Sequence, residues 1–259
     1  MNNILILGSG RSGTSMLTGI LVKSGFHLGE NFEYLKKDKA NPKGYFEDYE
    51  VNTVNEDILK ENLISIPETL RKWIFPSFTF YRARWLAVIP KGKKIKTTSS
   101  IDNRIEVLIN KPSFCYKDPR FSYTLPIWKK LFKKNNIAAK YLVVYREPFK
   151  TANSIVRECE ENKALHPLKM TSERALKVWE SMYSHILENY EKDIQKENWM
   201  FVHFNQLFSL EVLEKIEEFI GGSIDKQFPE KQLSRAEDLG NELSPNLSGI
   251  YNQLKKYSF

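Results

Sequence analysis

The chain has 259 residues, of which 41% are hydrophobic and 27% charged, and its formal net charge is +7. These values are typical of a globular protein with one sizeable core, and no run of about 20 apolar residues is present to span a membrane. Two cysteines, Cys115 and Cys159, exclude a disulfide framework and give no support to a metal site. The sequence begins without a leader pattern, so we expect a cytoplasmic protein.

The clustered positive charge lies in two lysine-rich stretches, residues 91–96 and 129–134. Such stretches favour the attraction of an anionic ligand. Aromatic residues do not alternate with these lysines in the way that a stacking surface for nucleic-acid bases requires. We therefore expect no nucleic-acid partner.

The first predicted strand, residues 4–7, leads into the glycine-rich segment Gly-Ser-Gly-Arg-Ser-Gly-Thr-Ser at 8–15, and a helix follows directly. Glycines allow the backbone N–H groups of such a turn to converge. The helix N-terminus adds about half a positive charge. This order of elements predicts a binding site for phosphate or a similar oxyanion.

Three interpretations of segment 8–15 compete. In a nucleotide triphosphatase loop, Gly8 and Gly13 have the required spacing and Ser15 stands at the magnesium position. Thr14, however, replaces the expected lysine, and no apolar strand that ends in an aspartate is evident to hold the metal.

The second interpretation is a dinucleotide fingerprint, since Gly8, Gly10 and Gly13 satisfy G-x-G-x-x-G and Glu30 stands near the position of a ribose-binding acid. The strand that should carry this acid, at 26–29, is too short and too polar.

The third interpretation places the positive charge on Arg11 and needs no metal. That arrangement suits a 5′-phosphosulfate, because sulfate carries less charge than a terminal phosphate.

The rest of the chain alternates between predicted strands and helices. A loop-rich stretch covers 25–46, and helical patterns at about 47–90 predict a cap whose aromatic residues are Trp73, Phe75, Phe78, Phe80, Tyr81 and Trp85. Strands are predicted at 94–98, 113–117, 140–145 and 199–204, and helices at 172–196 and 210–220. The tail after Phe228 is expected to fold only partly.

This alternation predicts an α/β protein in which a central parallel sheet is flanked by helices in three layers, with the helical cap as an insertion. We expect one domain over residues 1–259.

Arg146 directly follows strand 140–145, and Ser154 lies two turns into the next helix, which Pro148 begins. Since open α/β sheets bind ligands at the carboxyl ends of their strands, these two donors are predicted to grip a second phosphate.

The motifs together resemble those of P-loop-like sulfotransferases that use 3′-phosphoadenosine 5′-phosphosulfate, including bacterial members of that family. The resemblance assigns the 5′-phosphosulfate loop to Gly10, Arg11, Ser12, Gly13, Thr14 and Ser15. It assigns the 3′-phosphate motif to Arg146 and Ser154. Two further segments, 41–48 and 116–120, resemble bacterial and tyrosylprotein members.

Membership would imply sulfuryl transfer without a metal to a hydroxyl or amine of a small molecule or carbohydrate, leaving 3′,5′-adenosine bisphosphate. Arg11 and Lys117 would stabilise the leaving oxygen. Pro119 stands where many members have a histidine, so a carboxylate is the expected base, with Glu30 ranked above Glu47. An NAD(P)-binding protein and a P-loop small-molecule kinase remain the alternatives.

Overall fold

The computed structural model describes residues 2–33, 35, 37, 41–63, 83–230 and 242–258. The described residues contain a four-stranded parallel sheet in the order β2-β1-β3-β4. Its strands are β1 (Asn3–Leu7), β2 (Cys115–Lys117), β3 (Ala139–Tyr145) and β4 (Trp199–His203). The predicted strands at 4–7, 113–117, 140–145 and 199–204 are thus confirmed.

Helices follow the strands and connect them. They are α1 (Thr14–Leu21), α2 (Tyr49–Leu63), α3 (Ser99–Ile109), α4 (Phe121–Lys134), α5 (Pro148–Glu161), α6 (Ser172–Lys192), α7 (Leu210–Ile220) and α8 (Pro245–Tyr257). None of these helices is both long enough and apolar enough to cross a membrane.

The sheet is buried on both faces. Leu5, Leu7 and Val143 point into one apolar core with residues of α2, α3, α4, α6 and α8. Ile6 and Val144 point into a second core with residues of α1 and α7. Because successive side chains of a strand alternate between faces, apolar residues at nearly every strand position require helices on both sides. The three-layer α/β architecture is therefore confirmed.

One predicted strand is wrong. Residues 94–98 form no strand, because the Asn62 side chain binds both the N–H and the carbonyl of Lys96, and Thr98 caps α3. Of the tail after Phe228, which was expected to fold only partly, residues 231–241 lie outside the described residues, whereas Ser244 caps α8 and Leu254 of that helix is fully buried.

The predicted cap is described only in part. Helix α2 and a short 3-10 turn at Ala83–Leu86 lie within 47–90, and Trp85 belongs to that turn. The other aromatic residues named for the cap fall at 73–81 and lie outside the described residues.

Candidate active site

The segment between β1 and α1 is a tight turn that needs its glycines. Gly8 and Gly13 have φ angles of 145° and 102°, in the region that only glycine enters readily. A Cβ atom on Gly8 would clash with the Val144 carbonyl, and one on Gly13 would clash with the Phe204 ring. Helix α1 begins at Thr14, so its first N–H groups, which have no partner within the helix, face the turn. This geometry is suited to holding an anion.

Neighbouring elements fix the turn in place. The Tyr183 hydroxyl accepts a hydrogen bond from the Ser9 N–H at 3.3 Å and donates one to the Val144 carbonyl at 2.8 Å. The Ser12 hydroxyl lies 3.5 Å from the Thr151 hydroxyl on α5. The turn is therefore held by β3, α5 and α6 together, and its N–H groups are oriented before any ligand arrives.

Arg146 follows β3 and lies beside the same turn. Its guanidinium carbon lies 4.4 Å from the centre of the Phe204 ring, the ring that also packs on Gly13. Burial lowers the pKa of Arg146 below its ordinary value, while Glu147, 4.0 Å away, opposes this change. An arginine keeps its charge in proteins, so the site holds a largely buried cation.

Arg11 connects the turn to α5. Its Nε atom donates a hydrogen bond to the Ser154 Oγ atom at 3.1 Å, and its Nη1 atom lies 3.4 Å from the Glu158 carboxylate. The structure thus brings Arg11 into contact with Ser154, and Arg146 lies near enough to Arg11 for the two charges to interact. Glu158 was missed, although its position four residues after Ser154 on a helix places both side chains on one face.

A third group of residues lies at the end of β2. The buried Lys117 ammonium donates to the Glu47 Oε1 atom at 2.6 Å and to the Ser15 hydroxyl at 3.3 Å. The Asn52 amide donates to the other carboxylate oxygen of Glu47, also at 2.6 Å. The sequence placed Lys117, Ser15 and Glu47 in one site, whereas no motif indicated Asn52.

The structure places Glu30 differently. Its side chain is 73% exposed and forms an ion pair with Lys111 at 3.0 Å. The hydrogen bond from Lys111 lowers the pKa of Glu30. The carboxylate beside Lys117 is Glu47, and not Glu30, which the sequence ranked first as the base.

An aspartate does follow a buried strand, contrary to the sequence-based expectation. Asp118 comes directly after β2, and its oxygens accept hydrogen bonds from Arg120 and Asn55. Burial raises the pKa of Asp118 to about 6, against the lowering effect of Arg120. Among the described residues no group of three His, Cys, Asp or Glu side chains is arranged to hold a metal ion.

No family model and no curated protein matches the sequence. Two solved structures share the fold. The sulfotransferase domain of the Synechococcus PCC 7002 olefin synthase has a TM-score of 0.56 and 16% identity, over 98% of this chain and 94% of that one. A sulfotransferase domain from the curacin biosynthetic pathway has a TM-score of 0.52 and 14% identity, over 98% of this chain and 97% of that one.

Proposed function

We propose that this protein is a sulfotransferase that moves a sulfuryl group from 3′-phosphoadenosine 5′-phosphosulfate to a hydroxyl or amine. The observation that carries the proposal is the hydrogen bond between Arg11 and Ser154, which joins two motifs, 143 residues apart in sequence, that are both predicted to bind anions. The fold shared with two sulfotransferase domains supports the same activity.

The donor would be held at both of its ends. The N–H groups at the start of α1, with the Thr14 and Ser15 hydroxyls, would bind the 5′-phosphosulfate. Arg146 and Ser154 would bind the 3′-phosphate, because charge-assisted hydrogen bonds to a phosphate are short and strong. Arg11 contacts Ser154 and belongs to the turn, so it would lie between the two ends of the donor.

The reaction breaks the bond between sulfur and the bridging oxygen of the donor and forms a bond from sulfur to the acceptor oxygen or nitrogen. Negative charge develops on the bridging oxygen, and cations fixed beside it stabilise the transition state. Lys117, which already contacts Ser15 of the turn, and Arg11 would supply this charge. As in phosphoryl transfer, most of the catalysis then comes from position and electrostatics.

The acceptor must lose a proton as it attacks. Glu47 is the carboxylate in contact with Lys117, so we assign it the role of general base. The proton would pass from the acceptor to Glu47 while the sulfuryl group passes to the acceptor. The acceptor itself is proposed to be a small molecule or carbohydrate of the cytoplasm, with no nucleic-acid partner.

Calorimetry on the intact chain tests donor binding. In the presence of a chelator, 3′,5′-adenosine bisphosphate should bind with a micromolar Kd, and adenosine 5′-monophosphate should bind roughly 10- to 100-fold more weakly because it lacks the 3′-phosphate. Transfer is then measured with the ³⁵S-labelled donor and a panel of hydroxylated acceptors. Binding of NAD without binding of the bisphosphate would overturn the proposal, and so would phosphate transfer from ATP and Mg²⁺.

A further inference from the structure

We propose that Asn52 is a positioning residue, whose amide fixes the Glu47 carboxylate in the orientation and charge state in which it receives the proton of the acceptor. This inference rests on the proposed function, because it concerns the base of that reaction. It goes beyond the sequence motifs, since Asn52 lies outside each of them.

The carboxylate of Glu47 is held from two sides. The Lys117 Nζ atom lies 2.6 Å from Oε1, and the Asn52 Nδ2 atom lies 2.6 Å from Oε2. One donor alone leaves a carboxylate free to rotate about its terminal bond, whereas donors on both oxygens fix its plane. Each oxygen has a second lone pair, so one remains available for the proton of an acceptor.

The surroundings explain why the second donor matters. Glu47 and Asn52 are 8% and 2% exposed, so water has little access to either side chain. The groups that face Glu47 are the Lys117 ammonium, the buried Asp118 carboxylate, whose pKa the Glu47 charge helps to raise, and the Asn52 amide. The Asn52 amide therefore places a second donor on a carboxylate that has another carboxylate beside it.

An amide suits this position better than a cation. A second lysine or arginine would hold the carboxylate equally well, but its full positive charge would bind the base too strongly to let it accept a proton. An amide donates a hydrogen bond and adds no charge. Lys117 therefore remains the cation that Glu47 shares with the leaving oxygen of the donor.

Helix α2 holds Asn52 rigidly. The Asn52 N–H donates to the Asp48 carbonyl at 3.0 Å, and the Asp48 side chain accepts from the N–H groups of Glu50 and Val51 at 2.9 and 3.0 Å. Val51 and Val54 are fully buried and fix the rotation of the helix about its axis. The amide is consequently presented to Glu47 by the fold rather than by a flexible loop.

The test follows the ionisation of Glu47 directly. The side-chain carboxyl carbon is observed by ¹³C NMR over a pH titration of the full chain, and its signal is assigned with Glu47→Gln. In Asn52→Leu the midpoint should move to higher pH by about one unit, because a donor to the charged form is lost. In Asn52→Asp, which keeps the shape of the side chain, it should move further, since two carboxylates in contact do not both ionise readily.

Asn62→Leu is the matched control. Asn62 lies near the end of the same helix and binds the backbone of Lys96, so its loss perturbs the fold without touching Glu47. The pH–rate profile is measured with an acceptor found in the panel, or with water. In the Asn52 variants its acid limb should move together with the NMR midpoint. In Asn62→Leu the acid limb should stay in place.

An unchanged midpoint in folded Asn52→Leu and Asn52→Asp would overturn the positioning role even if the enzyme is active. A fall in rate that is equal at every pH, with no movement of the limb, would also overturn it. No transfer by the wild-type chain to any acceptor or to water would instead overturn the proposed function, and this role with it.

Discussion

The Nε atom of Arg11 lies 3.1 Å from the Oγ atom of Ser154 and donates a hydrogen bond to it. Arg11 belongs to the turn after β1, and Ser154 belongs to α5, which follows β3. Neighbouring parallel strands place their carboxyl ends side by side, which is why these two residues meet. The contact makes the two predicted phosphate sites parts of one continuous surface.

Removing the Arg146 guanidinium should weaken donor binding. Arg146→Ala removes charge-assisted hydrogen bonds to the 3′-phosphate worth about 1.5–3 kcal/mol, so the affinity for 3′,5′-adenosine bisphosphate should fall roughly 10- to 100-fold in calorimetry. Arg157→Ala is the control, because Arg157 is exposed on α5. Equal affinities for wild type and Arg146→Ala would exclude Arg146 from the donor site.

The turn should not tolerate a side chain at position 13. Gly13→Ala forces a Cβ atom toward the Phe204 ring at a φ of 102°, and the backbone strain alone costs about 1–2 kcal/mol. Urea unfolding should show this loss. Gly249→Ala offers a comparison, because Gly249 lies in α8 and a Cβ atom there would meet nothing within 4 Å, so alanine should stabilise the helix by about 0.5–1 kcal/mol. If both variants have the same stability, the turn is less constrained than its geometry indicates.

Lys117 should affect turnover more than donor affinity. Lys117→Ala removes a cation from the leaving oxygen, where charge develops only in the transition state, so kcat should fall by about 100- to 1000-fold. Donor affinity, measured with the bisphosphate, should change much less. Lys130→Ala, at an exposed position of α4, should change neither value. A large loss of affinity with unchanged kcat would make Lys117 a binding residue only.

His185 should make the protein less stable in acid. The ring is 7% exposed, its Nε2 atom lies 3.0 Å from the Ile89 carbonyl, and burial lowers the pKa of His185 below its ordinary value. The unfolded chain therefore takes up this proton at a higher pH than the folded one does. The stability due to neutral His185 is complete above pH about 6.5 and is lost as the pH falls through the folded-state pKa.

The measurement is the free energy of unfolding between pH 7.5 and 5. One histidine contributes a slope of at most about 1.4 kcal/mol per pH unit, and His185→Gln should remove that contribution. His203 shifts in the same direction, while Asp118 acts in the opposite one, so only the difference between variant and wild type is diagnostic. Exposed His166→Gln should leave the slope unchanged; if His185→Gln also leaves it unchanged, His185 does not titrate as its burial indicates.

Local patterns in the sequence were sufficient for much of the fold. Short apolar runs identified the four strands, and the glycines of 8–15 identified the turn, because both features reflect the backbone conformation of their own segment. The strand predicted at 94–98 was wrong for a tertiary reason: the Asn62 side chain binds the backbone groups that a neighbouring strand would need. Helix α8 had a local signal in Ser244 and Pro245, which the polar composition of the tail obscured.

By itself, the sequence determined that one strand of a parallel sheet leads into a glycine-rich turn and that another strand is followed by an arginine. Strand periodicity and turn chemistry are properties of short segments. Only the tertiary structure decided which carboxylate meets Lys117. Glu47 lies 70 residues before that lysine, and they meet because β2 pairs with β1 while α2, which begins two residues after Glu47, packs against α4, the helix that follows β2. Strand order and helix rotation depend on the packing of the whole core, so no short segment encodes the choice of Glu47 over Glu30 or the contact of Asn52 with Glu47.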